Sequence, residues 1–326
     1  MSGIISHDGE KRLVLVGGRA HPELAAAVAA ELGTDLVPTT AYDFANGEIY
    51  VRFGESVRGC DTFVLQSHAV PINQWIMEQL IMVDALKRAS AKTITVVAPF
   101  YGYARQDKKH RGREPISARL VADLFRTAGA HRLMSVDLHT AQIQGFFDGP
   151  VDHLMALPLL ADYVRRRVDS SRLTVVSPDA GRVRLADQWS DRLGAPLAII
   201  HKRRDPSVPN QVKVHELVGQ VEGRTCVIVD DMIDTAGTIV QAADALFENG
   251  AADVIVASTH AVLSGPAVDR LKNSRISEVV VSDTLPIPDD RRFPQLTVLS
   301  IAPLVARAIR EVFDDGSVTS LFDGQA

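Results

Sequence analysis

The chain has 326 residues, a length that exceeds one typical α/β unit and favours two domains with substantial cores. Its formal net charge of −5 at pH 7 argues against a general nucleic-acid-binding protein. The two cysteines, Cys60 and Cys226, are far apart, so the composition predicts neither a disulfide framework nor a cysteine metal site. The charged N-terminus resembles neither a signal peptide nor a membrane span, and we therefore expect a soluble, cytoplasmic protein.

Strands and helices alternate through the first half of the sequence, a pattern that is typical of a mainly parallel α/β sheet. Apolar periodicity predicts the helices, and a proline in the first turn or a glycine at the end marks their limits. The pair Gly17-Gly18 follows the first strand, but the pattern G-x-G-x-x-G is absent, so dinucleotide binding is not favoured. The predicted strands are 13–16, 49–53, 63–66, 93–98 and 132–136, and the predicted helices are 22–32, 74–88 and 116–127.

Three segments of this first half carry polar residues that point to a ligand site. An Asn-Gly turn lies at 44–48, and an acid and a histidine, Asp137 and His139, follow the strand 132–136. The segment 101–113 is rich in charge and glycine, so we expect a long mobile loop, and loops of this length are commonly functional lids or disordered segments. Each segment also has a simpler interpretation: a tight turn, a hydrogen-bonded surface histidine and a solvated basic loop.

The alternation of strands and helices restarts after 150–158, and we therefore predict two domains, 1–155 and 156–326. No low-complexity linker marks the boundary between them. The predicted strands of the second half are 173–176, 196–200, 225–229, 254–258, 278–282 and 297–299, and the predicted helices are 184–193, 239–249 and 303–313.

Positive charges gather after the strand 196–200, where His201, Lys202, Arg203 and Arg204 follow one another. Adjacent cations repel, so their clustering favours a bound anion. A solvated run of charge is the usual explanation of such a cluster, and it stays open at this point.

Two acids and a loop of small residues follow the predicted strand 225–229. Asp230 and Asp231 come first, and the loop 234–238 then leads into a helix. Such a loop at a helix N-terminus can bind a phosphate through its backbone N–H groups and hydroxyls. Carboxylates beside a phosphate are repulsive unless they face hydroxyls or a cation. A sugar phosphate satisfies both requirements, whereas the simpler alternative is a solvated strand end followed by a capped helix.

The stretch V-D-D-M-I-D-T-A-G-T at 229–238 resembles the phosphoribosyl-pyrophosphate motif shared by type I phosphoribosyltransferases and ribose-phosphate pyrophosphokinases. Further motifs favour the second family, and the resemblance extends nearly from end to end. It implies an α/β fold with two tandem phosphoribosyltransferase-like, Rossmann-like domains whose sheets are mainly parallel. The further motifs are F-A-N-G-E at 44–48, Y-G-Y-A-R-Q-D-K-K at 101–109, V-D-L-H at 136–139, Q-I-Q-G-F-F-D at 142–148, S-P-D-A-G at 177–181 and K-R-R at 202–204.

This resemblance also implies an activity and its setting. A ribose-phosphate pyrophosphokinase transfers the β,γ-diphosphoryl group of ATP to the C1 hydroxyl of ribose 5-phosphate, and it releases AMP. The product, 5-phosphoribosyl 1-pyrophosphate, serves nucleotide, histidine and tryptophan synthesis. The bacterial class I form, which the chain resembles, implies dependence on Mg²⁺, a homo-hexamer, and phosphate and ADP as effectors, with no nucleic-acid or membrane partner.

The site residues implied by the resemblance lie within the matching motifs. ATP would be bound by Phe44, Asn46, Gly47 and Glu48 together with Arg105, Gln106 and Asp107. Ribose 5-phosphate would be bound by Asp230, Asp231, Asp234, Thr235, Ala236, Gly237 and Thr238. Lys202 and Arg204 would be the catalytic cations, Arg204 also contacting the sugar phosphate, and His139 and Asp179 would be the metal ligands. Asn46 departs from the family pattern, in which many relatives have Asp, but the exchange keeps a carbonyl acceptor.

Two other functions fit parts of the sequence. A phosphoribosyltransferase that consumes the product would use the same motif around Asp230 and Asp231, although R-Q-D-K-K would then be unusual. A non-catalytic paralogue that restrains active subunits is the second alternative, and intact Lys202, Arg204 and His139 disfavour it.

Overall fold

The computed structural model describes residues 5–7, 11–204 and 212–322, with the backbone alone at 5–7, 202–204 and 212–215. The chain divides into two compact units, of which the first comprises Met1–Met155, Thr284–Pro286 and Ser300–Ala326 and the second comprises Ala156–Asp283 and Ile287–Leu299. The C-terminal segment thus belongs to the first unit, whereas the sequence-based division assigns it to the second. No helix among the described residues is long and apolar enough to cross a membrane.

The described strands and helices alternate along the chain. In chain order the strands are β1 Ile5–His7, β2 Lys11–Gly17, β3 Thr39–Asp43, β4 Ile49–Phe53, β5 Asp61–Leu65, β6 Thr93–Ala98, β7 Arg132–Val136, β8 Val151–Leu154, β9 Leu173–Ser177, β10 Leu197–Arg204, β11 Val212–Val218, β12 Thr225–Ile233, β13 Asp253–Ala261, β14 Glu278–Ser282 and β15 Leu296–Leu299. The helices are α1 Pro22–Leu32, α2 Ile72–Arg88, α3 Ser117–Ala128, α4 Leu157–Arg167, α5 Val183–Leu193, α6 Gly237–Glu248, α7 Ala267–Lys272 and α8 Ala302–Phe313.

The first unit contains a sheet with the strand order β1-β2-β5-β6-β7-β8, in which only β1 is antiparallel to its neighbour. Its inner strands are buried along nearly their whole length, as parallel strands covered on both faces must be. The β3–β4 hairpin forms a separate antiparallel pair. The sequence predicts β4 but not β3, because the residues of β3 are largely polar and exposed or half-buried.

Helix α1, which follows β2, begins and ends where its local sequence indicates. Pro22 occupies its first turn, the His21 side chain accepts a hydrogen bond from the Leu24 N–H at 3.4 Å, and Gly33 ends the helix with φ of 69°. A left-handed residue there is the usual helix stop, so the predicted bounds 22–32 are confirmed. Helix α8 packs beside α1, and Arg310 Nη2 donates to the Leu32 carbonyl at 2.8 Å.

The second unit contains a sheet with the order β11-β10-β9-β12-β13-β14-β15, in which only β11 is antiparallel to its neighbour. Strand β12 extends past the predicted end at 229, so Asp230 and Asp231 lie inside the strand rather than beyond it. The reason is the length of β13, which still pairs with β12 at Ile233 and Ala261. On the other side, the pairing of β12 with β9 ends at Ile228. The acids therefore lie on a part of β12 that extends beyond β9.

Strand β10 is also longer than predicted. The sequence predicts an end at 200, whereas the backbone remains paired with β11 through Lys202, Arg203 and Arg204. Polar and charged residues carry no apolar signal for a strand, so the sequence pattern could not indicate this extension.

Candidate active site

An arginine bridges the two acids of β12. Arg182 Nε lies 2.8 Å from Asp230 Oδ1, and its Nη2 lies 2.7 Å from Asp231 Oδ1. The Asp231 backbone N–H also donates to Asp230 Oδ1 at 2.8 Å. The side chains of the three residues are 19%, 15% and 7% exposed respectively, so little water screens the pair.

The surroundings make Asp230 an unusual carboxyl group. Burial, and then the neighbouring Asp231 carboxylate, raise the pKa of Asp230, while the Arg182 guanidinium opposes that change. Two adjacent buried carboxylates are costly unless a cation or hydrogen-bond donors compensate them. The pair is therefore arranged to accept hydroxyls or a cation.

The predicted phosphate loop follows β12 directly, and it lies at the N-terminus of α6. Ala236 has a φ of 59°, and helix α6 begins at the next residue, Gly237. Arg270 Nη1 donates to the Thr235 carbonyl at 2.9 Å, and the Ser264 N–H donates to the Asp234 carbonyl at 2.9 Å. Both donors reach carbonyl oxygens, and the positive end of the α6 dipole at this loop favours an anion.

Asp179 is the N-cap of a short 3₁₀ turn, Ala180–Arg182, that follows β9. Its Oδ1 accepts the Gly181 N–H at 2.8 Å, and its backbone carbonyl accepts the Ser177 hydroxyl at 2.7 Å. The same turn therefore presents the predicted metal ligand and, three residues later, the arginine that pairs with Asp230 and Asp231.

In the first unit, the predicted adenine-binding turn connects β3 and β4. Asn46 Oδ1 accepts the Glu48 N–H at 3.2 Å, and Gly47 has a φ of 88°. Asp at position 46 would accept the same bond, so this contact does not depend on whether residue 46 is Asn or Asp. Phe44 is 46% exposed and lies against an aromatic pair formed by Tyr42 and Tyr50. An exposed ring on an ordered hairpin is suited to stacking on a flat ligand.

A buried glutamate holds this hairpin through Arg19. Glu78 is 0% exposed; its Oε2 lies 2.5 Å from Arg19 Nε, and its Oε1 accepts the Arg19 N–H at 2.9 Å. Arg19 Nη2 reaches Asp43, the last residue of β3, at 2.7 Å. Gln66 also donates to Glu78 Oε1 at 2.8 Å. The residues after β2 therefore position the hairpin.

The predicted ATP residues of the segment 101–113 have different environments. Arg105 and Gln106 are exposed, and Gln106 Oε1 accepts the Ser117 hydroxyl at 2.7 Å. Asp107 is only 4% exposed, and its Oδ2 accepts the Thr140 hydroxyl at 2.7 Å and the Gln142 amide at 2.6 Å. Asp107 thus connects this segment to the residues that follow His139.

The start of the same segment is anchored on a buried histidine. His68 is fully buried, its Nδ1 accepts the Gly102 N–H at 2.8 Å, and its Nε2 lies 2.9 Å from Gln79 Oε1. These contacts place the proton of the neutral ring on Nε2, which donates to Gln79. Burial lowers the pKa of His68 to about 4, so the ring is neutral near pH 7.

The predicted metal ligands are partly exposed. His139 follows β7, after Asp137, which has a φ of 37°. In the part of the chain that the structure describes, no group of three or more His, Cys, Asp or Glu side chains is arranged to hold a metal ion. A cation bound to either predicted ligand would need phosphate or water as further ligands, which fits Mg²⁺, because Mg²⁺ keeps several waters and binds through few protein groups.

The predicted catalytic cations are described only in their backbone. Lys202 and Arg204 belong to β10, and their side chains lie outside the described residues. Sequence reasoning missed Arg182, Glu78 and His68, because a single arginine, glutamate or histidine in a helix or loop has no pattern. The only signal was Arg182's position directly after the motif S-P-D-A-G.

Comparisons with known proteins agree along nearly the whole chain. Residues 13–129 match the model of the N-terminal domain of ribose phosphate pyrophosphokinase, and residues 205–323 match that of the phosphoribosyl synthetase-associated domain. The ribose-phosphate pyrophosphokinase of Streptomyces coelicolor is 71% identical over 325 residues, which is 100% of each chain. That of Mycobacterium tuberculosis is 64% identical over 320 residues, 98% of each chain. The crystal structure of phosphoribosylpyrophosphate synthetase from Mycobacterium smegmatis has a TM-score of 0.89 at 63% identity, covering 93% of this chain and 99% of its own.

Proposed function

The chain belongs to the ribose-phosphate pyrophosphokinase family, and from that premise we propose which of its residues bind the substrates and which act on the transferred group. The enzyme transfers the diphosphoryl group of ATP to the C1 hydroxyl of ribose 5-phosphate, giving 5-phosphoribosyl 1-pyrophosphate and AMP. The phosphoribosyltransferase and the non-catalytic paralogue are not supported by these relatives.

Ribose 5-phosphate binds to the residues of β12 and the loop that follows it. Asp230 and Asp231 accept the ribose hydroxyls, and residues 234–238 bind the 5-phosphate at the N-terminus of α6. The observation that carries this assignment is the direct succession of a buried acid pair and a helix N-terminus, because the two parts require a ligand with both hydroxyls and an anion.

ATP binds to residues of the first unit. Phe44 stacks on the adenine, the 46–48 turn contacts its edge, and Arg105 and Gln106 reach the nucleotide from the segment 101–113. Asp107 is also among the proposed ATP-binding residues. Its hydrogen bonds with Thr140 and Gln142 additionally support a role in holding the segment 101–113 in place.

His139 and Asp179 are the proposed protein ligands of Mg²⁺, which would be bound together with the triphosphate. When bound, the ion would neutralise phosphate charge and help to orient the reacting groups. Lys202 and Arg204 neutralise the charge that gathers on the transferred group, and Arg204 also contacts the sugar phosphate. Positive charge placed where the transition state becomes more negative lowers the barrier without tightening ground-state binding.

The assembly and location follow from the family resemblance. The proposal is a homo-hexamer that responds to phosphate and ADP and works in the cytoplasm. Cys60 and Cys226 are both buried free thiols, which agrees with a reducing compartment. Light scattering of the purified protein tests the hexamer directly.

The products of the reaction test the function. Incubation of the enzyme with ATP, Mg²⁺ and ribose 5-phosphate should release AMP, whereas ATP alone should give little. Asp231→Asn serves as a site control, because it keeps the side-chain volume but removes a charge from the acid pair, and it should weaken the response to ribose 5-phosphate. Formation of ADP in place of AMP would show transfer of a single phosphoryl group and would contradict the proposal.

A further inference from the structure

Arg182 has a position that the proposed substrate contacts leave unexplained. Its guanidinium group bridges Asp230 and Asp231, at 2.8 and 2.7 Å, and all three side chains are largely buried. The bridge is not a loose surface pair, since the Arg182 backbone N–H donates to the Asp179 carbonyl at 3.3 Å within the 3₁₀ turn. Both ends of the arginine are thus held.

The acid pair poses an electrostatic problem for an anionic sugar phosphate. Two adjacent carboxylates at low solvent exposure repel one another and repel an approaching phosphate. A guanidinium that contacts both carboxylates reduces this repulsion and fixes the two side chains relative to each other, because its planar donors have a fixed geometry. The carboxylates can then accept hydrogen bonds from the hydroxyls of a sugar, and they repel its phosphate less than two uncompensated carboxylates would.

We propose that Arg182 is a positioning residue for ribose 5-phosphate, which it favours by holding Asp230 and Asp231 in one arrangement and by compensating their charge. The proposal deepens the function assigned above and rests on the assignment of the acid pair to the sugar. Arg182 acts through the carboxylates and does not contact the phosphate. Its loss should therefore weaken ribose 5-phosphate binding while leaving ATP binding nearly unchanged.

Calorimetric titration of the full-length protein with ribose 5-phosphate in the absence of ATP provides the test. Arg182→Gln should raise the Kd at least about tenfold, since it leaves two buried carboxylates without their partner. Arg182→Lys should recover part of the affinity, because it restores the charge but not the bridging fork. Arg184→Gln is the matched control: it removes the same charge from an exposed position two residues later, and the Kd should stay within about twofold of wild type.

The same substitution in a second variant distinguishes an action of Arg182 through the carboxylates from a direct contact with ribose 5-phosphate. In an Asp231→Asn chain, adding Arg182→Gln should change the Kd by less than about threefold, because one of the two carboxylates on which Arg182 acts is already neutral. An undiminished effect there would mean that Arg182 touches the ligand itself or acts through Asp230 alone, and either result would overturn the proposed action through both carboxylates. Unchanged or tighter binding by Arg182→Gln would overturn it as well, since tighter binding means that the guanidinium obstructs the acids.

Failure of the underlying function gives a different result. If Asp231→Asn alone leaves the Kd for ribose 5-phosphate unchanged, the acid pair does not bind the sugar, and both proposals fall. If Asp231→Asn weakens binding but Arg182→Gln does not, only the proposal for Arg182 falls. Steady-state kinetics add an independent readout: KM for ribose 5-phosphate should rise in Arg182→Gln while KM for ATP stays within about twofold.

Discussion

Lys202, Arg203 and Arg204 are adjacent cations on one strand. Substituting them one at a time distinguishes a specific catalytic role from a general effect of positive charge. Lys202→Ala or Arg204→Ala should lower kcat by roughly 10³-fold, because cations that meet the transferred group in the transition state lower the barrier. KM for ribose 5-phosphate should change far less for Lys202→Ala, whereas Arg204→Ala can raise it because of the proposed phosphate contact. Steady-state kinetics with both substrates varied measure these effects.

Arg203 is the matched control for Lys202. The strand continues through all three residues, but its register shifts between Arg203 and Arg204. Consecutive residues of a regular strand face opposite sides of the sheet, so we expect this alternation to distinguish Arg203 from Lys202. Arg203→Ala should therefore retain most of the activity. Equal damage from Arg203→Ala and Lys202→Ala would make the cluster a general attractor of anions.

The buried, neutral His68 should make the stability of the first unit depend on pH. Its folded pKa is about 4, below the ordinary value of 6.5, so the unfolded chain binds the proton more readily between these values. Its contribution to stability is complete above about pH 6.5 and is lost as the pH falls toward 4, with an upper limit of about 3 kcal/mol in the free energy of unfolding. The lost contact would be the hydrogen bond from the Gly102 N–H to Nδ1.

Urea unfolding followed by Trp75 fluorescence can measure this dependence. Trp75 lies in the first unit, and Trp189→Phe removes the signal from the second. In that background, adding His68→Gln should lower stability at pH 7 but flatten its decline between pH 6.5 and 4.5. The same decline with and without His68 would assign the pH dependence to other groups.

At the level of elements, the sequence predicts best where local signals and tertiary packing agree. Proline at the start and glycine at the end gave α1 its correct bounds, and the buried apolar run gave β7 its bounds. The prediction failed where pairing overrides composition: β12 continues through Asp230 and Asp231 because β13 is equally long.

In the candidate site, some residues were predicted from sequence motifs, whereas others were found only from their contacts in the folded chain. The loop 234–238 was predicted at a helix N-terminus from its small residues, and the structure confirms that location. Arg182 and Glu78 could not be predicted, since their roles depend on side chains that are distant in sequence. Motifs identify groups that contact a ligand, whereas the groups that position them are seen only in the folded chain.

Asp107 links two loops, and this link has a measurable consequence. Asp107→Asn weakens the hydrogen bonds from Thr140 and Gln142, which should loosen the segment after His139. We expect the Mg²⁺ concentration for half-maximal activity to rise about three- to tenfold, and His139→Ala to raise it further because it removes a proposed ligand.

Magnesium titrations at saturating ATP measure both variants of this loop. Asp35→Asn, which neutralises an exposed carboxylate elsewhere in the first unit, should leave the titration unchanged. A higher KM for ATP without any change in the magnesium requirement would indicate that Asp107 contacts the nucleotide directly.

At the level of the whole molecule, the chain leaves its first unit near residue 155, returns to it briefly at Thr284–Pro286, and returns again from residue 300. The returning helix α8 contributes buried side chains, including Ile309 and Phe313, and packs beside α1. Lys11 Nζ lies 2.6 Å from Asp315 Oδ2, which ties the segment after α8 to β2. The folding of the first unit therefore depends on a segment that is more than 140 residues away in sequence from residue 155.

Removal of residues 300–326 should thus destabilise the first unit and leave the second intact. The apolar face of α1, in which Leu24 and Val28 are fully or nearly fully buried, would no longer be packed against α8. Burial of such side chains contributes about 1.5–3 kcal/mol each to the free energy of unfolding. Hydrogen exchange with mass spectrometry should show lost protection across β2 and α1 but unchanged protection across β12 and β13. Phe313→Ala in the full chain should give a weaker version of the same pattern, at a cost of about 3–5 kcal/mol, whereas Arg307→Ala on the exposed face of α8 should not. Loss of protection in β12 and β13 on truncation would show instead that the two units unfold together, and the assignment of the C-terminal segment to the first unit alone would then be wrong.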